Sequence, residues 1–380
     1  MKTSSYSRRN FILQVSKQAA LLGLGLHGVT SLSSCNEKSE SQREEHITKQ
    51  KALKKLGIAL VGLGSYSTNQ LAPALKETSH CYLSGIVTGT PKKARKWKRK
   101  YDIPDRNIYN YEDFDQIKNN PDIDVVYVVL PNALHADFVI RAAKAGKHVI
   151  CEKPMAISVA ECDRMIAACR EAGKLLSIGY RLHFEPHNLE MMRLGTQKVF
   201  GPVTKLSTAN GFTGVQGWRL NKKLSGGGPL MDMGIYCVQG VRYTTGMEPV
   251  AVKAKEGPKS DKQKFREIEE SLIWQFEFPD NTTADCKATY SENTGFLHAD
   301  AENGWFELNP AYGYTEIQGK TSRGTMNLPN INQQARQMDD FALAIINKRA
   351  TPVPGEMGRQ DLIIIEAIYK AMQTGQRVEI

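Results

Sequence analysis

Apolar residues fall along this chain in two textures. The runs LGIALVGLG (56–64), YLSGIVT (82–88), DVVYVVL (124–130), HVICE (148–152) and KLLSIGY (174–180) are short and nearly continuous. Between them, ALHADFVIRAAKAGK (133–147) and SVAECDRMIAACREAGK (158–174) repeat apolar residues at helical spacing. Short continuous runs suit strands buried on both faces, and strands alternating with helices predict a doubly wound parallel sheet with right-handed crossovers. From residue 201 the pattern changes. VTKLSTANGFTG, SLIWQFEFPDNTTADCKATYSE and GWFELNPAYGYTEIQG alternate apolar with polar positions and are broken by turn residues such as Pro279-Asp280-Asn281. That predicts an α+β second domain built on a large, mostly antiparallel sheet. Two helices are expected near the C-terminus, around QQARQMDDFALAIIN and MGRQDLIIIEAIYKAMQTG, the latter stopping near Gly375. There is no internal repeat.

One helix-like stretch is unusual. GGGPLMDMGIY (226–236) places Asp232 four residues before Tyr236, on one face of a helix whose neighbours Leu230, Met231, Met233 and Ile235 are apolar. A carboxylate and a phenol driven into apolar surroundings behind three glycines are candidates for chemistry.

The N-terminus divides the chain further. Basic residues in MKTSSYSRRNFILQ precede the short apolar stretch AALLGLGLHGVTSLSSC, the anatomy of an export signal too short to span a membrane. Ser7-Arg8-Arg9-Asn10-Phe11-Ile12 matches the twin-arginine motif, which engages the twin-arginine translocase that exports folded proteins. Leu32-Ser33-Ser34-Cys35 resembles a bacterial lipobox, which would make Cys35 a lipidated residue. The expected location is therefore periplasmic, or lipid-anchored on the non-cytoplasmic side. NEKSESQREEHITKQKALKK follows, charged and poor in large apolar residues, as a tether is. The expected organisation is signal 1–34, linker 35–55, nucleotide domain 56–178 and substrate domain 179–380.

The formal charge of +10 changes little in this picture. Lys2, Arg8, Arg9 and Lys17 belong to the signal, so 10 − 4 leaves +6, much of it in PKKARKWKRK (91–100). That run reads as a solvated helix, and no nucleic-acid-binding motif accompanies it. The remaining cysteines form no CxxC pair, and no histidine–cysteine spacing resembles a zinc site, so no metal is expected.

The first strand ends in Gly62-Leu63-Gly64 and leads into SYSTNQLAPALKE, which gives a dinucleotide fingerprint its strand–turn–helix context. The turn residues Gly62, Gly64, Ser65 and Tyr66 are the expected pyrophosphate contacts, at a helix N-terminus that favours anions. Ser67 holds the third fingerprint position, which predicts looser helix–strand packing. NAD-preferring pockets place an acid after the second strand. Here Val87-Thr88-Gly89-Thr90-Pro91-Lys92-Lys93 has none, which favours the 2′-phosphate of NADP, with NAD the alternative.

Several motifs together carry a family resemblance: CEKPM (151–155), VLPNALHADFVIRAAKAGKHV, YRLHFEPHN, WRLNKKLSGGGPLMDMGIY and RYTTGMEP. They resemble the Gfo/Idh/MocA oxidoreductases, nearest to the branch of glucose-fructose oxidoreductase, from about residue 56 to the C-terminus. The resemblance implies a Rossmann domain joined to a sheet that forms subunit contacts in a homodimer or homotetramer. It places Lys153 of the E-K-P motif near nicotinamide and substrate. Asp232 matches the acid of the family's glycine-rich pattern, and Tyr236 stands where most members have histidine. Thr88 and Lys93 match positions that hold the 2′-phosphate. Leu130, Pro131, Asn132 and His135 match the loop lining the cofactor, and Arg181, Trp218 and Arg219 match residues near cofactor or sugar. Glu152 is structural or contacts the ribose. The segment GFTGVQG before Trp218 is shorter than in the sugar-pair enzymes, which leaves the sugar open.

Oxidising a sugar hydroxyl sends a hydride to nicotinamide and a proton to a base. Tyr236 can be that base if a neighbouring cation favours its phenolate, and Lys153 is the candidate. Asp232 would orient Lys153 or bind a sugar hydroxyl. Arg181 and His183 complete the expected substrate set with Lys153, Asp232 and Tyr236. Outside the cytoplasm a freely exchanging NADP would not be regenerated. A retained cofactor would instead couple aldose oxidation to ketose or aldose reduction in a ping-pong cycle. The alternatives are a nicotinamide-dependent glycosidase of the same superfamily and a sugar-binding lipoprotein with a vestigial pocket.

Overall fold

A computed structural model describes residues 55–380; the expected signal, Cys35 and the tether to residue 54 lie outside the described residues. Six strands form the first sheet: β1 (Leu56–Val61), β2 (Cys81–Val87), β3 (Ile108–Tyr109), β4 (Val125–Val128), β5 (His148–Cys151) and β6 (Leu176–Ile178). Their order is 3-2-1-4-5-6 and every pair is parallel. All residues of β1 and β4 are buried, which is why these strands read as continuous apolar runs. The chain reverses direction of winding between β1 and β4, and such a switch point opens a crevice at the carboxyl ends of the strands.

The helices α1 (Pro91–Tyr101), α2 (His135–Lys144) and α3 (Val159–Glu171) connect these strands. In α1 only Trp97 is buried, so the basic run is a solvated face as its composition implies. Ser158 caps α3 by accepting from the Glu161 amide, while Glu161 accepts from the Ile157 amide 3.2 Å away.

After α4 (Pro186–Thr196), the second sheet begins with β7 (Val203–Gly211). Past α5 (Ile235–Thr245) it continues with β8 (Ala251–Glu256), β9 (Ser271–Glu277), β10 (Thr283–Thr289) and β11 (Thr294–Ala301). It is completed by β12 (Gly304–Leu308), β13 (Gly319–Thr321), β14 (Gly324–Met326) and β15 (Val378–Glu379). The order is 14-13-12-11-7-10-9-8-15, antiparallel except between β7 and β10. In β9, Leu272, Trp274 and Phe276 point inward while Ile273 is half exposed, the period-2 alternation of a sheet with one buried face.

The last two helices return to the first sheet. Ala335, Met338, Phe341 and Ala342 of α6 (Gln333–Ile346) share a core with Leu56, Ile58, Leu60 and Ile86. Ile364, Ile365 and Ile368 of α7 (Gly355–Thr374) join a core that contains both Val149 of β5 and Val252 of β8. The two sheets are thereby packed into one body among the described residues 55–380. Cys81, Cys151, Cys162, Cys169, Cys237 and Cys286 are free thiols, all buried. No helix among the described residues is long and apolar enough to cross a membrane.

Candidate active site

The turn after β1 is shaped by its glycines. Gly62 has φ +96°, and a Cβ there would lie 2.4 Å from the Val129 carbonyl oxygen, so only glycine fits. A Cβ on Gly64 would meet nothing within 4 Å, so the backbone at Gly64 and Ser65 faces open space at a helix N-terminus. These residues fit a dinucleotide pyrophosphate. Ser67 corrects an expectation. It is fully buried, and its Oγ donates to the Gly62 carbonyl at 2.6 Å. The hydroxyl ties the helix to the turn instead of loosening it, and the backbone accommodates it through a π-helical turn at Ser67–Leu71.

At the end of β2, Thr88 is buried and accepts from the Thr90 amide at 3.3 Å. Thr90 precedes α1, whose N-terminus has no side-chain cap and no acid in its first turn. Lys92 and Lys93 are exposed in that turn. A hydroxyl, uncapped amides and two ammonium groups together suit a 2′-phosphate.

The loop after β4 joins the two halves of the chain. The buried Asn132 amide donates to the Ser225 carbonyl at 2.7 Å, fastening this loop to the start of the glycine run. Leu130 is buried and Pro131 partly so. His135 is wholly buried, with Nδ1 3.0 Å from the Pro154 carbonyl and Nε2 2.8 Å from the Leu130 carbonyl. Burial lowers its pKa. Its ring therefore braces the loop after β4 against the segment carrying Lys153.

Lys153 and Asp232 meet at the centre. The Lys153 ammonium donates to the Asp232 backbone carbonyl at 2.7 Å and lies 3.7 Å from its carboxylate Oδ1. It also sits 4.6 Å from the centroid of the Tyr236 ring. The other carboxylate oxygen, Oδ2, accepts from Arg219 Nε at 2.7 Å and from the Tyr290 hydroxyl at 3.1 Å. Burial alone would raise the Asp232 pKa, but Lys153 and Arg219 hold it below the usual carboxylate range. Beside them, Glu152 accepts from the Tyr127 hydroxyl at 2.6 Å, and burial raises its pKa. Its carboxylate packs against Gly179, where a Cβ would fall 2.6 Å from Oε1.

Arg181 is buried and extends from Tyr180 at the end of the first sheet toward the second. Its guanidinium donates to the carbonyls of Gly313 (2.8 Å) and Tyr312 (2.6 Å) and to Gln333 Oε1. It lies 5.2 Å from the Tyr236 ring and 4.5 Å from the Tyr314 ring. Trp218 is partly buried, with the Arg219 guanidinium 4.8 Å over its ring. His183 lies behind this layer, its ring 4.0 Å from that of Tyr243 and its Nε2 buried without a hydrogen-bond partner. Burial and the charge of Arg242 lower its pKa to about 3.

The stretch 226–236 also differs locally from its expected form. Leu230–Gly234 is a π-helical turn that runs into α5, and such turns often occur at functional sites. The glycines before this turn make room for the protein itself. A Cβ on Gly227 would lie 2.0 Å from the Tyr369 hydroxyl, and one on Gly228 would lie 2.4 Å from the Glu269 carbonyl oxygen. Gly226, at φ +78°, ends a short helix in the left-handed region. Sequence reasoning missed Tyr290, Tyr314 and Gln333. Tyr290 directly follows β10, Tyr314 lies in the loop between β12 and β13, and Gln333 opens α6, positions at which none of them stands out from ordinary sheet, loop or helix residues.

Comparison with known proteins agrees with this architecture. Residues 56–180 match the oxidoreductase family with an NAD-binding Rossmann fold, and residues 189–307 match the GFO/IDH/MocA C-terminal domain. The crystal structure of aldose-aldose oxidoreductase from Caulobacter crescentus complexed with glycerol has a TM-score of 0.84. It is 43% identical, over 86% of this chain and 100% of that one. D-xylose 1-dehydrogenase [NADP(+)] of Haloarcula marismortui is 26% identical, over 85% of this chain and 92% of its own. D-glucoside 3-dehydrogenase of Escherichia coli is 28% identical, over 68% and 79% respectively.

Proposed function

The chain belongs to the Gfo/Idh/MocA family of oxidoreductases, and we propose that it transfers hydride between a sugar and NADP. One observation carries the reading: Lys153 touches Asp232 and overlies the Tyr236 ring at the same time. The bound nicotinamide supplies the hydride acceptor and donor. Tyr236 Oη takes the proton of the sugar hydroxyl and returns it in the reverse direction. The Lys153 ammonium sets a positive charge beside that phenol, and Asp232 fixes where the ammonium sits. Arg219 and Tyr290 hold Asp232 from its far side, leaving the Lys153-facing oxygen to meet a sugar hydroxyl.

Preference for NADP rests on Thr88, the uncapped start of α1, and Lys92 with Lys93. Two of the relatives above, the aldose-aldose oxidoreductase and the D-xylose 1-dehydrogenase, are named for aldoses, which makes an aldose the first substrate to try. The reading extends to a cofactor that stays bound through both half-reactions, aldose oxidation and ketose or aldose reduction. Purified protein mixed with a panel of aldoses would then bleach or develop nicotinamide absorbance without added cofactor. Protein that shows no absorbance change with any sugar, even with NADP added, refutes the oxidoreductase reading. Release of free sugar from a chromogenic glycoside with no net cofactor change would point to a glycosidase instead.

Export with Cys35 lipidated is checked by cell fractionation and by the mass of the mature N-terminus. Association into a dimer or tetramer through the outer face of the second sheet, where Ile273 is half exposed, is checked by light scattering.

A further inference from the structure

The turn that faces the pyrophosphate and the segment after β12 meet side chain to side chain. Tyr66, two residues past Gly64, has its ring 5.8 Å from that of Tyr314, with 31° between the planes. Tyr314 is 42% exposed, so the core does not require an aromatic ring there. Its backbone is nevertheless tightly held. Arg181 donates to the carbonyls of Tyr312 and Gly313, and Gln333 Nε2 donates to those of Gly313 (3.2 Å) and Tyr314 (3.1 Å). The Arg181 guanidinium then lies between the Tyr314 ring, 4.5 Å away, and the Tyr236 ring, 5.2 Å away. Tyr66, Tyr314, Arg181 and Tyr236 thus form a continuous ladder from the nucleotide turn to the proposed base.

We propose that Tyr314 and Tyr66 form an aromatic clasp across the mouth of the nucleotide cleft that slows departure of the dinucleotide. The inference rests on the reading that NADP occupies this cleft. A dinucleotide held with its pyrophosphate at Gly64–Ser65 and its nicotinamide at Lys153 and Tyr236 would run along the ladder. To leave, it must part a ring carried by the first sheet from a ring carried by the second. Aromatic pairing and the cation–π contact of Arg181 oppose that parting. The immobilised backbone at 312–314 means that little ordering is left for the clasp to lose when it closes. A retained cofactor therefore has a structural cause in two side chains outside the reacting centre.

The test measures NADPH release by stopped-flow fluorescence, chasing bound NADPH with excess NADP, in the full chain. Tyr314→Ala and Tyr66→Ala should each release NADPH about tenfold faster than wild type. Tyr314→Phe, which keeps the ring, should stay within about twofold. The double alanine variant should be no faster than the quicker single one, because the two rings act on each other. Unchanged release in both alanine variants, with melting temperatures equal to wild type, overturns the clasp. Fast release from wild type that quickens further in the alanine variants keeps the clasp and refutes cofactor retention. A wild-type chain that binds no NADPH in an equilibrium titration overturns both.

Discussion

Lys153 is attached to Asp232 twice: its ammonium donates to the backbone carbonyl at 2.7 Å and faces carboxylate Oδ1 at 3.7 Å. The first bond fixes the position of Lys153 whatever the charge of the side chain, and the second makes it sensitive to that charge. The pair also brings together the E-K-P turn of the first sheet and the π-helical turn before α5. Its position over Tyr236 is what the proposed proton transfer needs.

Tyr236→Phe should lower kcat/KM for sugar by about 10²–10⁴, the range for loss of a general base, while leaving NADPH affinity unchanged. Lys153→Met should show a similar fall. Steady-state kinetics together with a fluorescence titration separate the two effects. Wild-type turnover in Tyr236→Phe would place the base elsewhere.

Asp232→Asn keeps an oxygen for Arg219 and Tyr290 but removes the anion facing Lys153. Rate should fall by about tenfold or more, the effect of losing one charge-assisted interaction. Arg219→Lys, which keeps a cation but not the guanidinium geometry at Oδ2, should fall less. Comparing kcat and KM for both variants checks this order.

The preference for NADP should reverse with the end of β2. Thr88→Asp combined with Lys93→Ser introduces an acid for a ribose hydroxyl and removes one ammonium. NADP affinity should weaken about tenfold to a hundredfold, with NAD affinity improving, as judged by titration with each cofactor. Equal losses for both cofactors would mean that the residues shape the turn and do not read the phosphate.

His183 gives a pH prediction. Its folded pKa of about 3 lies below the ordinary histidine value, because the ring is buried and Arg242 is near. As pH falls below about 6.5 the unfolded chain takes up a proton that the folded chain refuses, and stability drops by about 1.4 kcal/mol per pH unit. The loss continues toward the folded pKa and fades out as pH rises well above the unfolded value. His183→Phe preserves the ring packed on Tyr243 and removes the proton site. Urea unfolding at pH 7 and pH 5 should show wild type losing about 2 kcal/mol more than the variant. Equal losses would mean that His183 is not protonated on unfolding in this range.

Much of the site was legible, and the reasons are local. Gly62 and Gly64 stand out because a tight turn after a buried strand tolerates few other residues. Asp232 and Tyr236 stand out because polar groups in an apolar segment demand partners, whereas Lys153 stands out only through the family resemblance carried by CEKPM. Ser67 was misjudged because its hydroxyl finds an acceptor five residues back, a bond the fingerprint spacing does not announce. Why 227 and 228 are glycines was not legible, because their neighbours Tyr369 and Glu269 are far away in the chain.

By itself, the sequence determined the buried strands of the first sheet, the glycine turn after β1 and the placing of Asp232 close to Tyr236 in one apolar segment. Each follows from patterns spanning a few residues, where backbone geometry and burial act directly. Only the tertiary structure decided that Tyr290 and Arg219 would fix Asp232, and that Arg181 would be clamped by Gln333 and the backbone at 312–313. It also decided that α6 would return to cover the first sheet and that Tyr314 would meet Tyr66. Those contacts join residues separated by tens to hundreds of positions. Their partners are chosen by how whole faces pack, and no local pattern carries that information.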